Sequence, residues 1–193
     1  MTYNCTIESL GYIIETMWNG IIISVFFLLI LFFLGIILTS ITSFFLVPIY
    51  FTPVKLLKEI SQIINPQNGD NVVDLGSGDG RILFSLSDIA KIKAYGYDIS
   101  PIMIIFSKIR MIYTLRLNRD ITFDVMSIFD IPLKKFDIVY CNLNSKVMQI
   151  LGKKFEKELK GTTVYSYNYE IEKKKINKTY TLSNGVKLFE YKY

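Results

Sequence analysis

The sequence predicts an α/β protein, a doubly wound parallel sheet preceded by one long apolar helix. Three observations predict it. Between Glu15 and Lys55 run 39 residues without a single charge. From Lys55 to Tyr193, short apolar runs alternate with segments of helical spacing, the pattern of parallel strands joined by crossover helices. The first of those runs ends in a glycine cluster, Asp74-Leu75-Gly76-Ser77-Gly78-Asp79-Gly80, that leads straight into a helix.

Composition removes several function classes. The 193 residues include no histidine, so no Ser-His-Asp or Cys-His nucleophile system and no His-ligated zinc site can be built. Cys5 and Cys141 stand 136 positions apart, which makes neither a disulfide framework nor a four-thiolate metal site, and no metal is expected. Hydrophobic residues make up 51% of the chain, and its mean hydropathy is +0.34. That is too apolar for an ordinary soluble domain, so part of the chain is expected in lipid.

The apolar excess has an address. Ile21 to Ile37 reads IIISVFFLLILFFLGII, and about 20 apolar residues in a helix cover the hydrocarbon core of a bilayer. The sequence therefore predicts a short N-terminal tail over 1–20 and a transmembrane helix over 21–46, stopped by Pro48. A secretory signal needs a basic start, whereas the first 20 residues carry Glu8 and Glu15 and no Lys or Arg. All 22 Lys/Arg lie at or after Lys55, so the positive-inside rule predicts a single-pass protein with its C-terminal domain on the cytoplasmic or mitochondrial matrix side. That domain holds 22 basic and 15 acidic residues, a net +7 that suits anionic lipid. No zinc-finger spacing or RNP aromatic pattern points to nucleic acid.

The elements follow in order. Val54 to Ile64 has helical spacing and ends at Asn65-Pro66-Gln67-Asn68-Gly69. Val72 to Leu75 is the first strand, and helical residues resume at Arg81. Ala94 to Asp98 is the second strand. A helix from Pro101 to about Leu117 follows, with Ser100 as its N-cap. Ile121–Met126 and Phe136–Leu143 read as strands three and four, with Pro132 in the loop between them. Lys146 to Lys160 is helical with Gly161 as its C-cap, and Thr162–Tyr169 is strand five. The tail from about Lys175 reads as a hairpin turning on Asn184-Gly185.

The chemistry sits in the glycine cluster. Glycines at alternate positions allow a tight strand-to-helix turn and let a ligand lie against bare backbone, and the N–H groups of a helix start favour negative charge. A dinucleotide site wants G-x-G-x-x-G/A, yet Arg81 occupies the last of those positions, which argues against NAD or FAD. Asp98, 18 residues after Gly80 at the end of the second strand, can accept both hydroxyl hydrogens of a ribose.

Strand, acid, three glycines, helix, strand and second acid in this order resemble motif I and the following acidic position of class I S-adenosylmethionine-dependent methyltransferases. Val47-Pro48-Ile49-Tyr50-Phe51-Thr52-Pro53, the run Asp74 to Arg81, Gly96-Tyr97-Asp98 and Lys154 to Lys160 resemble one subgroup. It comprises the small archaeal protein-lysine methyltransferases and their membrane-tethered mitochondrial relatives, which act on ATP synthase c-subunit and adenine nucleotide translocase. The resemblance implies a Rossmann-like class I methyltransferase sheet with a truncated C-terminal half. Residues 47–70 would form a linker and first helix, and 71–193 the S-adenosylmethionine-binding domain. It further implies that Asp74 and the loop Gly76, Ser77, Gly78, Asp79 and Gly80 hold the methionine part of the cofactor. Asp98 would bind the ribose, Ile99 would lie against the adenine, and the turn Ser127-Ile128-Phe129 would give the adenine edge contacts. Relatives usually carry Asp or Asn where this chain has Ser127, so the serine hydroxyl, Asp124 or Asp130 is left to make that contact.

The reactive methyl of such a cofactor sits on a sulfonium, so no histidine is required. Ligands of these sheets bind beyond the carboxyl ends of the strands, which makes Tyr140, Asn142, Asn144, Tyr167 and Asn168 the candidates to face an acceptor; each also has a plain packing or capping reading. No residue stands out as a general base. The function expected is a membrane-anchored methyltransferase acting on lysine in a membrane protein, with the lipid bilayer as a partner. The alternatives are methylation of a lipid-soluble small molecule, and a degenerate membrane-bound scaffold that does no chemistry.

Overall fold

The computed structural model describes residues 2–46 and 51–193, which fall into two units, 1–48 and 49–193. The expected stop at Pro48 and most of the Val47–Pro53 motif lie outside the described residues. The first unit is one helix, α1 (Thr2–Leu46), so helix also runs through the segment expected as a tail. Its stretch Ile14–Leu38 is long and apolar enough to cross a membrane, and none of the most apolar part is buried within the protein. At 1.5 Å per residue those 25 residues exceed the roughly 30 Å of a hydrocarbon core.

The second unit is a seven-stranded sheet in the order β3-β2-β1-β4-β5-β7-β6. The strands are β1 (Asn71–Leu75), β2 (Lys93–Asp98), β3 (Ile121–Val125), β4 (Ile138–Cys141), β5 (Thr163–Tyr167), β6 (Lys178–Thr181) and β7 (Lys187–Lys192). The first five run parallel, and β7 enters antiparallel between β5 and β6. Helices α2 (Val54–Ile64), α3 (Arg81–Ser87), α4 (Pro101–Tyr113) and α5 (Ser145–Glu158) complete it. The sheet has all seven strands; the C-terminal shortening falls on the β5–β6 connection, which holds no helix among the described residues.

Period-two alternation sorts the core into two layers. Val72, Ile138, Tyr140 and Leu188 join Leu56 and Ile60 of α2, Phe84 of α3 and Ile104 of α4 on one face. Val73, Val139, Cys141 and Phe189 join Met148, Leu151 and Phe155 of α5 on the other. Cys141 is thus a small core residue, fully buried.

Some boundaries differ from the sequence reading, each for a tertiary reason. Helix α4 ends at Tyr113 although the apolar spacing continues to Leu117, because Leu115 turns left-handed at φ +53° and Arg116 reaches Asp88 at 2.6 Å. Helix α5 is capped by buried, extended Leu159, while Gly161 (φ +75°) makes the turn into β5. Phe136 and Leu143 are apolar because they fill the second core layer from outside β4, so that strand is shorter than its apolar run. The hairpin forms as expected, with Gly185 at φ +82° and Leu182 donating its N–H to Val186 O (2.8 Å). Asn184 stays at negative φ, so the loop takes three residues, Ser183 to Gly185.

Candidate active site

The strand order reverses between β1 and β4, and in open sheets of this kind the ligand crevice lies at that switch point. Asp74 near the end of β1 stands in register with Gly96 of β2 on one side and Tyr140 of β4 on the other. Beyond it the chain turns left-handed at Gly76, Gly78 and Gly80. The Gly76 and Ser77 N–H groups both donate to Tyr97 O, at 2.8 and 2.9 Å. A side chain is excluded twice here. A Cβ on Gly76 would stand 2.7 Å from Leu143 Cδ2, and one on Gly80 would stand 2.4 Å from the buried Phe123 ring.

Asp98 locks this loop to β2. Its Oδ2 accepts the Gly78 N–H at 2.9 Å and its Oδ1 accepts the Ser100 N–H at 2.8 Å. The Met126 N–H donates to Asp98 O at 3.1 Å, which brings the turn after β3 alongside. Ser127 shapes that turn, its Oγ accepting the Phe129 N–H (3.3 Å) and its carbonyl the Asp130 N–H (3.0 Å). Ile99 is exposed beside Asp98, and Ile128 is half-buried against the second core layer. Asp124 and Asp130 are exposed.

Two buried polar atoms of the loop region have no partner within the protein, Asp74 Oδ1 and Ser77 Oγ. Burial, reinforced by the negative charges of Asp98 and Asp79, holds the Asp74 carboxyl well above the usual carboxylate range. Asp79 is differently placed. Its oxygens meet Arg81 at 2.8 Å and Arg110 of α4 at 3.0 Å, so two guanidinium groups already occupy it.

The sequence singles out Phe51, Thr52 and Arg81 only as members of subgroup-like runs, and does not show the strap they make across the loop from the N-terminal side. The Arg81 guanidinium stacks 4.5 Å from the Phe51 ring centroid and donates to Thr52 O at 3.1 Å. Thr52 is buried, and its hydroxyl shares a hydrogen bond with Tyr140 Oη (2.9 Å) and accepts from Asn142 Nδ2 (3.1 Å). The run Val47–Pro53 marks Thr52 but not its role, because its side-chain partners lie 88 and 90 residues away.

The expected acceptor residues divide accordingly. Tyr140 and Asn142 come together on Thr52, and burial pushes the Tyr140 phenol well up. Asn144 caps α5 through the Val147 N–H at 3.0 Å. Tyr167 is buried and receives Asn184 Nδ2 at 3.5 Å, while Asn168, left-handed at φ +72°, donates its N–H to Lys187 O (2.8 Å). These three serve capping and strand connection.

A family model described as the ANTKMT methyltransferase domain matches residues 74–178, more than half of the chain. The chain belongs to this family. A protein-lysine N-methyltransferase of Saccharolobus islandicus (strain REY15A) is 31% identical over 131 residues, covering 65% of this chain and 78% of the relative. An RNA methyltransferase from Salinibacter ruber, solved with S-adenosyl-L-homocysteine, superposes at a TM-score of 0.69 with 21% identity over 74% of this chain and 93% of its own. The ribosomal protein L11 methylase of Lactobacillus delbrueckii subsp. bulgaricus gives 0.60 with 16% identity over 72% and 78%. At such identities these structures establish the fold alone, and their differing acceptors show that the fold leaves the acceptor open.

The loop of this methyltransferase fits the cofactor expected from the sequence. Asp74 Oδ1 and Ser77 Oγ are orphaned polar atoms next to a turn that carries no side chain of its own at Gly76, Gly78 and Gly80, positions walled by Leu143, Phe51 and Phe123. A carboxylate in that position suits a cationic amino group, and the Asp98 oxygens keep lone pairs for hydroxyl donors. Asp79, already satisfied by its two arginines, acts on the loop by tying it to α4.

Proposed function

We propose that this chain is a membrane-anchored enzyme that transfers a methyl group from S-adenosylmethionine to lysine side chains of a membrane-associated protein. The observation that carries the reading is the curated relative named as a protein-lysine N-methyltransferase, 31% identical across 78% of its length. The orphaned acceptors beside the glycine turn support the cofactor assignment. The apolar stretch Ile14–Leu38 supports the anchor, and the confinement of Lys and Arg to positions from Lys55 onward supports an inner catalytic domain.

When bound, S-adenosylmethionine supplies a methyl group activated on a sulfonium. Asp74 and the loop from Gly76 to Gly80 hold the amino-acid end, Asp98 holds the ribose, and Ile99 with the turn at Ser127 and Ile128 flanks the base. The residues around the acceptor orient and desolvate rather than attack. Phe51 and Leu143 stand against Gly78 and Gly76 as apolar walls, and such walls disfavour the ammonium form of an incoming lysine, leaving the neutral amine that can accept a methyl group. Tyr140, kept neutral by burial, and Asn142 offer dipoles held in place by Thr52.

The test is to incubate the purified full chain and membranes with S-adenosylmethionine carrying a labelled methyl group, then separate protein from lipid extract. Label in protein, lost with Asp98→Ala, is the expected result. Label only in the lipid extract would replace the acceptor with a lipid-soluble molecule, and failure to bind the cofactor would leave a scaffold.

A further inference from the structure

Helix α4 is apolar on two sides. Met103, Ile104 and Ser107 are buried on the sheet side. On the other side Ile102, Ile105, Phe106, Ile109, Ile112 and Tyr113 recur at three- and four-residue spacing, and all are exposed, Ile109 to 51% and Tyr113 to 89%. The stripe continues beyond the helix in Leu115 and Leu117, 86% and 59% exposed. Single exposed apolar residues need no explanation, but a contiguous stripe of this kind marks an interaction surface.

Charge selects the occupant. From Pro101 to Arg119 the chain carries Lys108, Arg110, Arg116 and Arg119 and no acidic residue. Asp79 is shared by Arg81 and Arg110 and Asp88 by Arg116 and Arg119, and exposed Asp120, directly after Arg119, offsets one further cation. The surface therefore keeps a positive surplus around its apolar stripe. A second copy would set the same cations against one another. Anionic headgroups neutralise them while the apolar side chains enter the acyl boundary, the arrangement of an in-plane amphipathic helix.

We propose that the exposed face of α4, continued through Leu117, lies in the interface of an anionic phospholipid bilayer as a contact separate from α1. The proposal concerns lipid binding and stands apart from methyl transfer.

The experiment uses the full chain in vesicles of phosphatidylcholine with about one-third phosphatidylglycerol. A nitroxide is placed at Ile109→Cys, with Lys153→Cys on α5 as the reference, both in a Cys5→Ser background; Cys141 is buried and stays unlabelled. Docking raises collisions of the 109 label with oxygen and lowers those with a water-soluble nickel chelate, relative to 153. Lys108→Ala lowers the docking equilibrium constant about fivefold, and vesicles of phosphatidylcholine alone lose most of the docked share. Water-like values at 109, or exclusion of both probes as under a protein cover, would overturn the proposal. Equal docking on neutral vesicles would overturn it as well. Quenching of Trp18, the only tryptophan, by brominated lipid reports the α1 anchor independently. A failed anchor and a failed α4 contact are therefore separate results.

Discussion

The two halves of the sheet finish their strands differently. On the β1–β2 side, the strand ends carry Asp74 and Asp98 around a glycine turn, with the buried Asp74 Oδ1 and Ser77 Oγ still unpaired. On the β4–β5 side, the ends carry Tyr140, Asn142, Asn144 and Tyr167, whose polar atoms are engaged with Thr52, the α5 cap or the hairpin. The first half is built to receive a ligand that completes it. The second is completed by the protein itself, and the proposed reaction leaves it only to position and shield.

Perturbing each half should separate stability from chemistry. The largest effect is expected from Gly80→Ala. It adds a Cβ 2.4 Å from buried Phe123 at a residue with φ +75°, and overpacking with left-handed strain costs about 2–5 kcal/mol in a denaturant titration. Asp98→Ala frees two backbone N–H groups of the loop and its flank, and cofactor binding by calorimetry should weaken roughly 10- to 100-fold.

Asp74→Asn should split the two properties in opposite directions. Because the folded carboxyl sits above its unfolded value of 3.8, the folded chain holds the extra proton, and stability falls as pH rises from there to the raised folded value. The amide removes that loss. The free protein should melt higher at neutral pH, with the gain vanishing below about pH 3.8, while cofactor affinity drops. Equal melting at neutral pH, or unchanged affinity, would erase the contrast between the halves.

On the other half the effects are smaller. Thr52→Val leaves the buried Tyr140 hydroxyl without its partner and should cost about 1–2 kcal/mol, with turnover falling while cofactor affinity holds. Asn144→Ala removes only a helix cap, about 1 kcal/mol in thermal unfolding, and methyl transfer per folded molecule should be unchanged.

The same division governs what could be read in the sequence. The first half is written locally, since acid, glycines, helix start and second acid fall between Asp74 and Asp98 and each needs its residue type for a backbone reason. The sheet class followed from alternation for the same cause. The second half depends on long-range contacts. Thr52 stands in a run that resembles the subgroup but its partners are not readable there, and Arg110 shows its link to Asp79 only once α4 is folded beside the loop. Element ends were misread where apolar residues serve something other than the element. Phe136 and Leu143 pack from loops, and Leu115 and Leu117 extend an exposed stripe after the helix has ended.

Transfer of a methyl group to lysine nitrogen leaves a bond that acid hydrolysis of the labelled acceptor protein can identify. N–C bonds survive hydrolysis, whereas methyl esters release methanol. Label should migrate with methylated lysine in the hydrolysate of reactions containing the intact chain, and none should do so with Asp98→Ala. Label recovered as methanol, on another amino acid or only in the lipid fraction would contradict transfer to lysine.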